Sequence, residues 1–179
     1  MARIPLVEKA DAAPRVADYY AKLEEGGFQV LNIYKALGNC PQFVPDFFKL
    51  GNRILFQGKL DPKLRELAIL RVGYLAEAPY EYTKHEAIAL KSGVSRQQVD
   101  DLRQWSGSSA YDEAERAVLQ YTDEVSRGYR ASDEAFADVR RHLDDGQVVE
   151  LTVTIGYYEM ICRVLEALQV DVEDDFEPF

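Results

Sequence analysis

Proline and glycine divide this chain into segments of helical length, and no other sequence feature constrains its fold as much. A proline is tolerated in the first turn of a helix, where its missing N–H needs no partner, and a glycine commonly follows the last turn. Between these residues the sequence predicts helices over 14–24, 29–37, 41–57 and 62–76, and another that begins at Pro79 and is ended by Gly93.

Side-chain caps predict the remaining helices. Ser95 with Gln98 has the spacing of a capping box, and Asp112 with Glu115 repeats that spacing with an acidic cap. Ser132 predicts a helix to about residue 142, and a last helix is predicted over 147–169. No segment alternates strictly between apolar and polar residues, so we predict an all-α fold, with a short strand within 148–155 as the alternative.

Length and composition predict a single domain over residues 1–179, with an acidic tail from about residue 171. The 179 residues are 47% apolar and 29% charged, which is typical of a folded globular domain. Leu60 and Asp61, which precede one apolar segment, are echoed by Leu143 and Asp144 before another. A duplicated helical hairpin would explain this echo, and so would chance.

The charge of the chain limits its partners. Its formal charge of −10 argues against nucleic acid and anionic membranes, because its summed field repels both. Small molecules and proteins remain. The first residues include an early acid and no sustained apolar run, and no stretch reaches the length of a membrane span, so we expect a cytoplasmic protein.

Cysteine and glycine usage offers no familiar site. Cys40 and Cys162 are far apart, which fits neither a disulfide framework nor zinc-ligand spacing, and we interpret both as small buried residues. The glycines are scattered, so the sequence contains no phosphate-binding loop.

The apolar segment 67–76 contains a single charge, Arg71, and is preceded by Glu66. A helix that is apolar nearly all round is buried, so both charged side chains need partners inside the protein. Two interpretations of Arg71 stand equally: a structural ion pair, with Glu66 as one candidate partner, or a guanidinium fork that holds a substrate carboxylate.

Glu81 and His85 are four residues apart, so a helix places them on one face. A carboxylate beside an imidazole orients and tunes it, which suits a general acid/base near neutral pH. Such a spacing taken alone is more often a surface pair. The only other histidine, His142, stands beside Arg140 and Arg141 near a predicted helix end, where the helix dipole explains it.

Residues 65–85 resemble the signature of the carboxymuconolactone decarboxylase and alkylhydroperoxidase D-like superfamily. Its peroxidase branch carries Glu, eleven residues, Cys-x-x-Cys, three residues and His. Here the Glu is Glu66, the cysteine positions hold Ala78 and Glu81, and the His is His85. The similarity covers most of the chain and includes segments 32–37, 54–56, 87–90 and 156–160.

This resemblance implies an all-helical alkylhydroperoxidase D-like fold, assembly as a trimer or hexamer, and neither metal nor organic cofactor. Peroxide reduction there needs one thiolate to attack and a second thiol to resolve the product. Both motif positions lack sulfur, so we do not expect a thiol peroxidase. The Tyr-Glu-Tyr-x-x-His sequence from Tyr80 to His85 is similar to the decarboxylase branch, in which Trp often replaces Tyr82.

The implied activity is that of a cofactor-free lyase that acts on a small carboxylated lactone. In this hypothesis His85 transfers a proton, Glu81 orients it, and Glu66 is a relay or the partner of Arg71. Substrate binding is assigned to Arg71, or another cation, for the carboxylate, with Tyr80 or Tyr82 to polarise the lactone carbonyl. The alternative is a non-catalytic oligomer that binds a ligand or a protein.

Overall fold

A computed structural model describes residues 2–173, and all regular secondary structure in that range is helical. The elements are α1 (Pro14–Glu25), α2 (Asn32–Leu37), α3 (Val44–Phe56), α4 (Pro62–Leu75), α5 (Pro79–Lys91), α6 (Arg96–Asp101), a 3₁₀ helix (Leu102–Gly107), α7 (Glu113–Gly128), α8 (Asp133–Arg140) and α9 (Asp145–Leu168). The predicted all-α class is confirmed. The acidic tail beyond residue 173 lies outside the described residues.

Side-chain caps are present at four helix starts, three of which were predicted. Asp61 accepts hydrogen bonds from the backbone N–H groups of Lys63 and Leu64 at the start of α4. Both predicted capping boxes form, before α6 and α7, and Ser132 caps α8. These contacts satisfy N–H groups that the first turn of a helix otherwise leaves unpaired.

Three boundary or strand predictions were wrong. Helix α3 begins at Val44, not residue 41, so Pro45 lies in its first turn, where a proline removes no helical hydrogen bond. Helix α2 begins at Asn32 rather than residue 29. The alternative strand at 148–155 is part of α9, where the hydroxyls of Thr152 and Thr154 donate to carbonyl oxygens one turn earlier.

The described chain divides into two compact units, one formed by residues 2–56 and 164–173, the other by residues 57–163. In the first unit the aromatic rings of Tyr19, Tyr34 and Phe48 pack together, and Val16 and Val44 are completely buried beside them. The prediction of a single domain stays a prediction.

Helix α4 is the centre of the second unit. Residues 65–73 are all buried, as the apolar sequence predicts, and the helix packs against α5 and α7. Gly73 permits the close approach of α5, because a Cβ built there would lie 3.4 Å from the Glu81 Cβ and the Tyr82 nitrogen. The core cluster combines residues of α4 with residues that follow it: Leu67, Leu70, Ala89, Val94, Val99, Leu102, Trp105, Tyr111 and Leu119.

The two echoed segments each have an aspartate that caps the start of a helix, but the glutamates that follow make different contacts. Asp61 caps α4, and Asp144 accepts a hydrogen bond of 2.8 Å from the Gln147 nitrogen at the start of α9. Glu66 is completely buried, whereas Glu150 accepts from the backbone nitrogens of residues 59 and 60. Duplication of a hairpin stays a prediction. Within residues 2–173 no helix has both the length and the apolar character that a membrane span requires.

Candidate active site

A buried imidazole between two carboxylates forms the candidate site. His85 and Glu81 lie one turn apart on α5, and Glu66 projects from α4. The His85 Nδ1 atom lies 2.8 Å from Glu66 Oε2, and its Nε2 atom lies 3.5 Å from Glu81 Oε1. The Nδ1 atom is within hydrogen-bond distance of Glu66, and the Nε2 edge of the ring faces Glu81.

Burial distinguishes this trio from an ordinary surface pair. Glu66 is 0% exposed and His85 6%, and Glu81 is equally enclosed. Arg65 offsets part of the negative charge, because its Nε donates to Glu66 Oε1 at 3.0 Å. Each Glu66 oxygen therefore has its own partner, and the imidazole is held in one orientation. The surface-pair interpretation of Glu81 and His85 was wrong.

Burial and mutual charge change the titration of both groups on α5. Burial raises the pKa of Glu81 from 4.5 to about 7, and the charge of Glu66 adds to that rise, against the opposing effects of His85 and Lys84. Burial by itself lowers the pKa of His85, but the charge and hydrogen bond of Glu66, with the charge of Glu81, raise it overall. Burial thus favours the protonated form of Glu81, and the two carboxylates favour the protonated form of His85.

Three side chains beside the trio, those of Tyr158, Lys84 and Arg65, were not among the predicted site residues. The ring of Tyr158, on α9, meets the His85 ring edge-on with 4.8 Å between centroids. Lys84 is buried, and its Nζ lies 5.3 Å from the centre of the Tyr80 ring. The neighbours of Lys84 in the sequence, a threonine and a histidine, do not indicate that it is buried. Tyr158 is 73 positions away from His85, so spacing does not connect the two. Only Arg65, which is next to Glu66, could have been predicted from the sequence.

Arg71 pairs with Asp123, so its suggested pairing with Glu66 was wrong; this contact supports the structural interpretation, and a substrate-binding role stays a prediction. Its guanidinium forms a two-pronged ion pair with Asp123 on α7, in which Nη2 lies 2.9 Å from Oδ2. Its Nη1 donates to the carbonyl oxygens of Leu102 and Arg103 at 3.0 and 3.1 Å. These bonds occupy the fork that substrate binding would need.

The two candidate tyrosines have different surroundings. Tyr82 stacks on Tyr74 of α4, with 4.9 Å between ring centroids, and packs against the core cluster of the second unit. This contact gives Tyr82 a packing role, and its assignment to a substrate carbonyl stays a prediction. Tyr80 is buried beside Lys84 on the same helix as His85, so its assignment stays a prediction.

Comparison with known proteins agrees with this architecture. Residues 41–124 match the Carboxymuconolactone decarboxylase family. Uncharacterized protein YdfG of Bacillus subtilis (strain 168) is 28% identical over 114 residues, which make up 63% of this chain and 78% of YdfG. An uncharacterized peroxidase-related protein from Ralstonia eutropha JMP134, with an alkylhydroperoxidase AhpD core, superposes with a TM-score of 0.84 at 17% identity, over 97% of this chain and 93% of that one. The family match over residues 41–124 and the shared fold of these structures both support a similarity to the carboxymuconolactone decarboxylase and alkylhydroperoxidase D-like superfamily.

Within this superfamily the solved structures are functionally diverse. The debrominase Bmp8, in complex with 2,3,4-tribromopyrrole, superposes with a TM-score of 0.78 at 23% identity, over 97% of this chain and 95% of that one. Identities this low establish the shared fold and leave the chemistry to the site. The predicted resemblance to this superfamily and the predicted helical fold are confirmed.

The superfamily's two cysteine positions hold no sulfur in this chain. Ala78 precedes α5 and is completely buried, and Glu81 is part of the trio. Cys162 is buried and Cys40 is partly buried, and neither forms a disulfide within residues 2–173. Among residues 2–173 no three His, Cys, Asp or Glu side chains are arranged to hold a metal ion.

Proposed function

We propose that this chain is a proton-transfer enzyme of the carboxy-lyase type, which decarboxylates a small carboxylated lactone or a related acid. The observation that carries the proposal is the buried His85 between Glu66 and Glu81, at 2.8 and 3.5 Å. A fixed imidazole next to a carboxyl group that titrates near pH 7 is suited to give and take protons at neutral pH.

Each member of the trio has a distinct task in this reaction. Loss of carbon dioxide breaks a carbon–carbon bond, and the electron pair moves into the lactone carbonyl system. His85 then delivers the Nε2 proton to the carbon skeleton, and solvent restores it. Glu66 stabilises the imidazolium through Nδ1, and Glu81 orients the Nε2 edge and stores a proton beside it.

With Arg71 engaged by Asp123, Lys84 is the cation best suited to the substrate carboxylate. It is buried next to His85 in sequence, and its charge acts on Glu81. We expect Lys84→Met to raise KM for carboxylated lactones by roughly tenfold, about 1.4 kcal/mol of lost binding, and to leave neutral lactones unaffected.

The test is turnover in D₂O of a panel of carboxylated lactones, neutral lactones and β-keto acids. Proton transfer to carbon inserts deuterium, which NMR detects, and carbon dioxide is measured in parallel. We expect His85→Gln to lower kcat by about 10² to 10⁴-fold while the substrate still raises the melting temperature. His142→Gln, which alters the only other histidine, is the matched control and keeps full activity.

Full turnover by His85→Gln, or no turnover of any panel member by the native chain, contradicts the proposal. We include 2,3,4-tribromopyrrole as a binding probe, since Bmp8 binds it on the same fold. Consumption of peroxide in the presence of a thiol by a Cys40→Ala, Cys162→Ala variant would show a peroxidase route that does not use this chain's own sulfur.

A second candidate is a non-catalytic role, in which the trio only fixes the packing of α4 on α5. The observation in its favour is the near-complete enclosure of Glu66 and His85, which leaves little surface for a substrate. In that case His85→Gln lowers the free energy of unfolding, and no panel member changes the melting temperature of the native chain.

A further inference from the structure

The two arginines of α4 differ in how much of each guanidinium group the protein uses. Both side chains are buried. Arg71 is engaged through all three of its nitrogens, by Asp123 and by two backbone carbonyl oxygens. Arg65 makes a single hydrogen bond, from Nε to Glu66 Oε1 at 3.0 Å. Within residues 2–173, its Nη1 and Nη2 atoms have no hydrogen-bond partner in the protein.

The outer edge of the Arg65 guanidinium, by which we mean the amino groups at Nη1 and Nη2, is charged and enclosed. It carries four of the five N–H donors of the side chain, in a fixed planar fork. The side chain is 9% exposed, so water has little access to it. A buried donor without an acceptor is costly, more so when it is charged, and such groups are rare in native proteins. The outer edge therefore indicates a binding site for a negatively charged oxygen.

Arg65 is a close neighbour of the imidazole that transfers the proton in the proposed reaction. The two oxygens of Glu66 hold Arg65 Nε and His85 Nδ1, at 3.0 and 2.8 Å. Burial lowers the pKa of His85 and the charge of Glu66 raises it, and the positive charge of Arg65 acts against that rise. The guanidinium and the imidazole are thus joined through one carboxylate, close enough to act on the same small molecule.

The proposed decarboxylation needs a group that stabilises negative charge on an oxygen. When the carbon–carbon bond breaks and carbon dioxide leaves, the electron pair forms an enolate, and its charge collects on the former carbonyl oxygen. Lys84 is assigned to the substrate carboxylate, and Arg71 is engaged by Asp123. A planar fork with two adjacent amino groups suits an oxyanion, and the outer edge of Arg65 is such a fork.

We propose that the outer edge of Arg65 binds the enolate oxygen that forms when the substrate loses carbon dioxide, which makes Arg65 a further catalytic residue. The inference rests on the proposed function. Glu66 holds the guanidinium through Nε before the reaction begins, so its donors need no rearrangement as the charge develops. When His85 places a proton on carbon, the electron pair returns to that carbon and the oxygen becomes a neutral carbonyl again.

The first test is binding of tetronate, a five-membered lactone that is an enolate at neutral pH. Its uncharged counterpart is furan-2(5H)-one, a lactone with the same ring. Titrations are followed by NMR of the chain with ¹⁵N-labelled histidine, in which His142, the only other histidine, serves as the internal reference for His85. We expect tetronate to shift the His85 signals and to bind more tightly than the neutral lactone.

Arg65→Lys keeps a positive charge beside Glu66 but removes the fork. We expect it to weaken tetronate binding by at least about tenfold, because one ammonium group would have to serve both Glu66 and the enolate. Arg65→Gln removes the charge as well and weakens tetronate binding further. Arg141→Lys, the same change at an exposed arginine, is the matched control and binds tetronate as the native chain does. Circular dichroism verifies that each variant is folded.

The second test is turnover by Arg65→Lys of any panel member that the native chain decarboxylates. We expect kcat to fall about tenfold or more with KM nearly unchanged, because the charge on the oxygen develops only in the transition state. A change in KM alone would assign Arg65 to ground-state binding and overturn the proposal.

The two tests separate failure of this inference from failure of the proposed function, since tetronate binding requires no turnover. If a panel member is decarboxylated but Arg65→Lys binds tetronate as tightly as the native chain, the inference alone is overturned. A native chain that does not bind tetronate, or tetronate binding that is lost in Tyr80→Phe and kept in Arg65→Lys, overturns it as well. Tetronate binding that depends on Arg65, with no panel member decarboxylated, supports the oxyanion site and removes the proposed function.

Discussion

The ion pair of Arg71 and Asp123 connects α4, α7 and the 3₁₀ helix through one guanidinium group. Both side chains are buried, and Trp105 also donates to Asp123 at 3.4 Å. A charge left alone in such a place is costly, because neither water nor a counter-charge replaces its partner. The pair therefore matters more to the stability of the second unit than any exposed ion pair.

We predict that Arg71→Met lowers the free energy of unfolding by about 3 kcal/mol, because it leaves the Asp123 carboxylate buried and unpaired. Urea denaturation followed by circular dichroism measures the change. Arg141→Met, which breaks an exposed pair with Asp138, is the control and changes the free energy by less than about 1 kcal/mol. An unchanged stability together with a higher KM would return Arg71 to the substrate-binding role.

At the level of residues, spacing predicted the contact within α5, whereas a role for Glu66 beside His85 was implied only by the family resemblance and the Asp123 partner of Arg71 was missed. Glu81 and His85 were matched correctly because four residues on one helix fix their proximity. Glu66 approaches His85 from another helix, 19 residues earlier, and Asp123 lies 52 residues beyond Arg71. Local spacing cannot rank such partners, since packing decides which acid reaches which base.

Helices α4 and α5 approach each other closely at Gly73. Gly73 lies where a Cβ would meet the Glu81 Cβ and the Tyr82 nitrogen at 3.4 Å, the limit of ordinary contact. Glu81 and His85 are both on α5, so the distance between the two helices also fixes the distance from Glu66 to His85.

We predict that Gly73→Leu lowers the free energy of unfolding by about 2 kcal/mol, through overpacking, and disrupts the trio. Gly73→Ala stays within about 1 kcal/mol, because alanine favours the helix while its methyl group just fits. Thermal and urea denaturation compare these variants with Gly128→Leu, whose added side chain meets open space at the end of α7. Equal effects of leucine at both glycines would contradict the close-contact explanation.

At the level of elements, most helices could be predicted because their start signals are local. A cap such as Asp61 or Ser95 acts on backbone groups two or three residues away, and the sequence alone contains that information. The start of α3 was misplaced because Pro41 and Pro45 are both permitted in a first turn. The division into two compact units could not be predicted, since it depends on contacts between distant segments.

At the level of the whole molecule, the sequence resemblance predicts that copies of this chain associate. The trimer or hexamer implied by the resemblance stays a prediction. The charge of −10 makes close copies repel each other, so we expect association to strengthen as salt concentration rises.

The trio also makes the stability of the whole molecule depend on pH. Burial raises the pKa of Glu81 in the folded protein to about 7, from 4.5, so between these values the folded state keeps a proton that the unfolded chain has released. The free energy of unfolding then falls as pH rises through this interval. His85 acts in the same direction, because its raised pKa stabilises the fold at low pH and that stabilisation is lost as pH rises through the folded value.

We therefore predict that Glu81→Gln is more stable than the native chain at pH 8, and that this difference shrinks or reverses by pH 5. The glutamine removes a carboxylate that is costly to ionise in a buried place and keeps a side chain of the same size. Urea denaturation from pH 5 to pH 8 measures the difference between the two chains at each pH, so that titration of all other groups cancels. Glu134→Gln, which removes an exposed carboxylate on α8, gives a nearly constant difference over the same range. If the difference in the free energy of unfolding between Glu81→Gln and the native chain is also constant over this range, Glu81 ionises in the folded protein as it does in water. The proton storage assigned to Glu81 beside His85 would then have no basis.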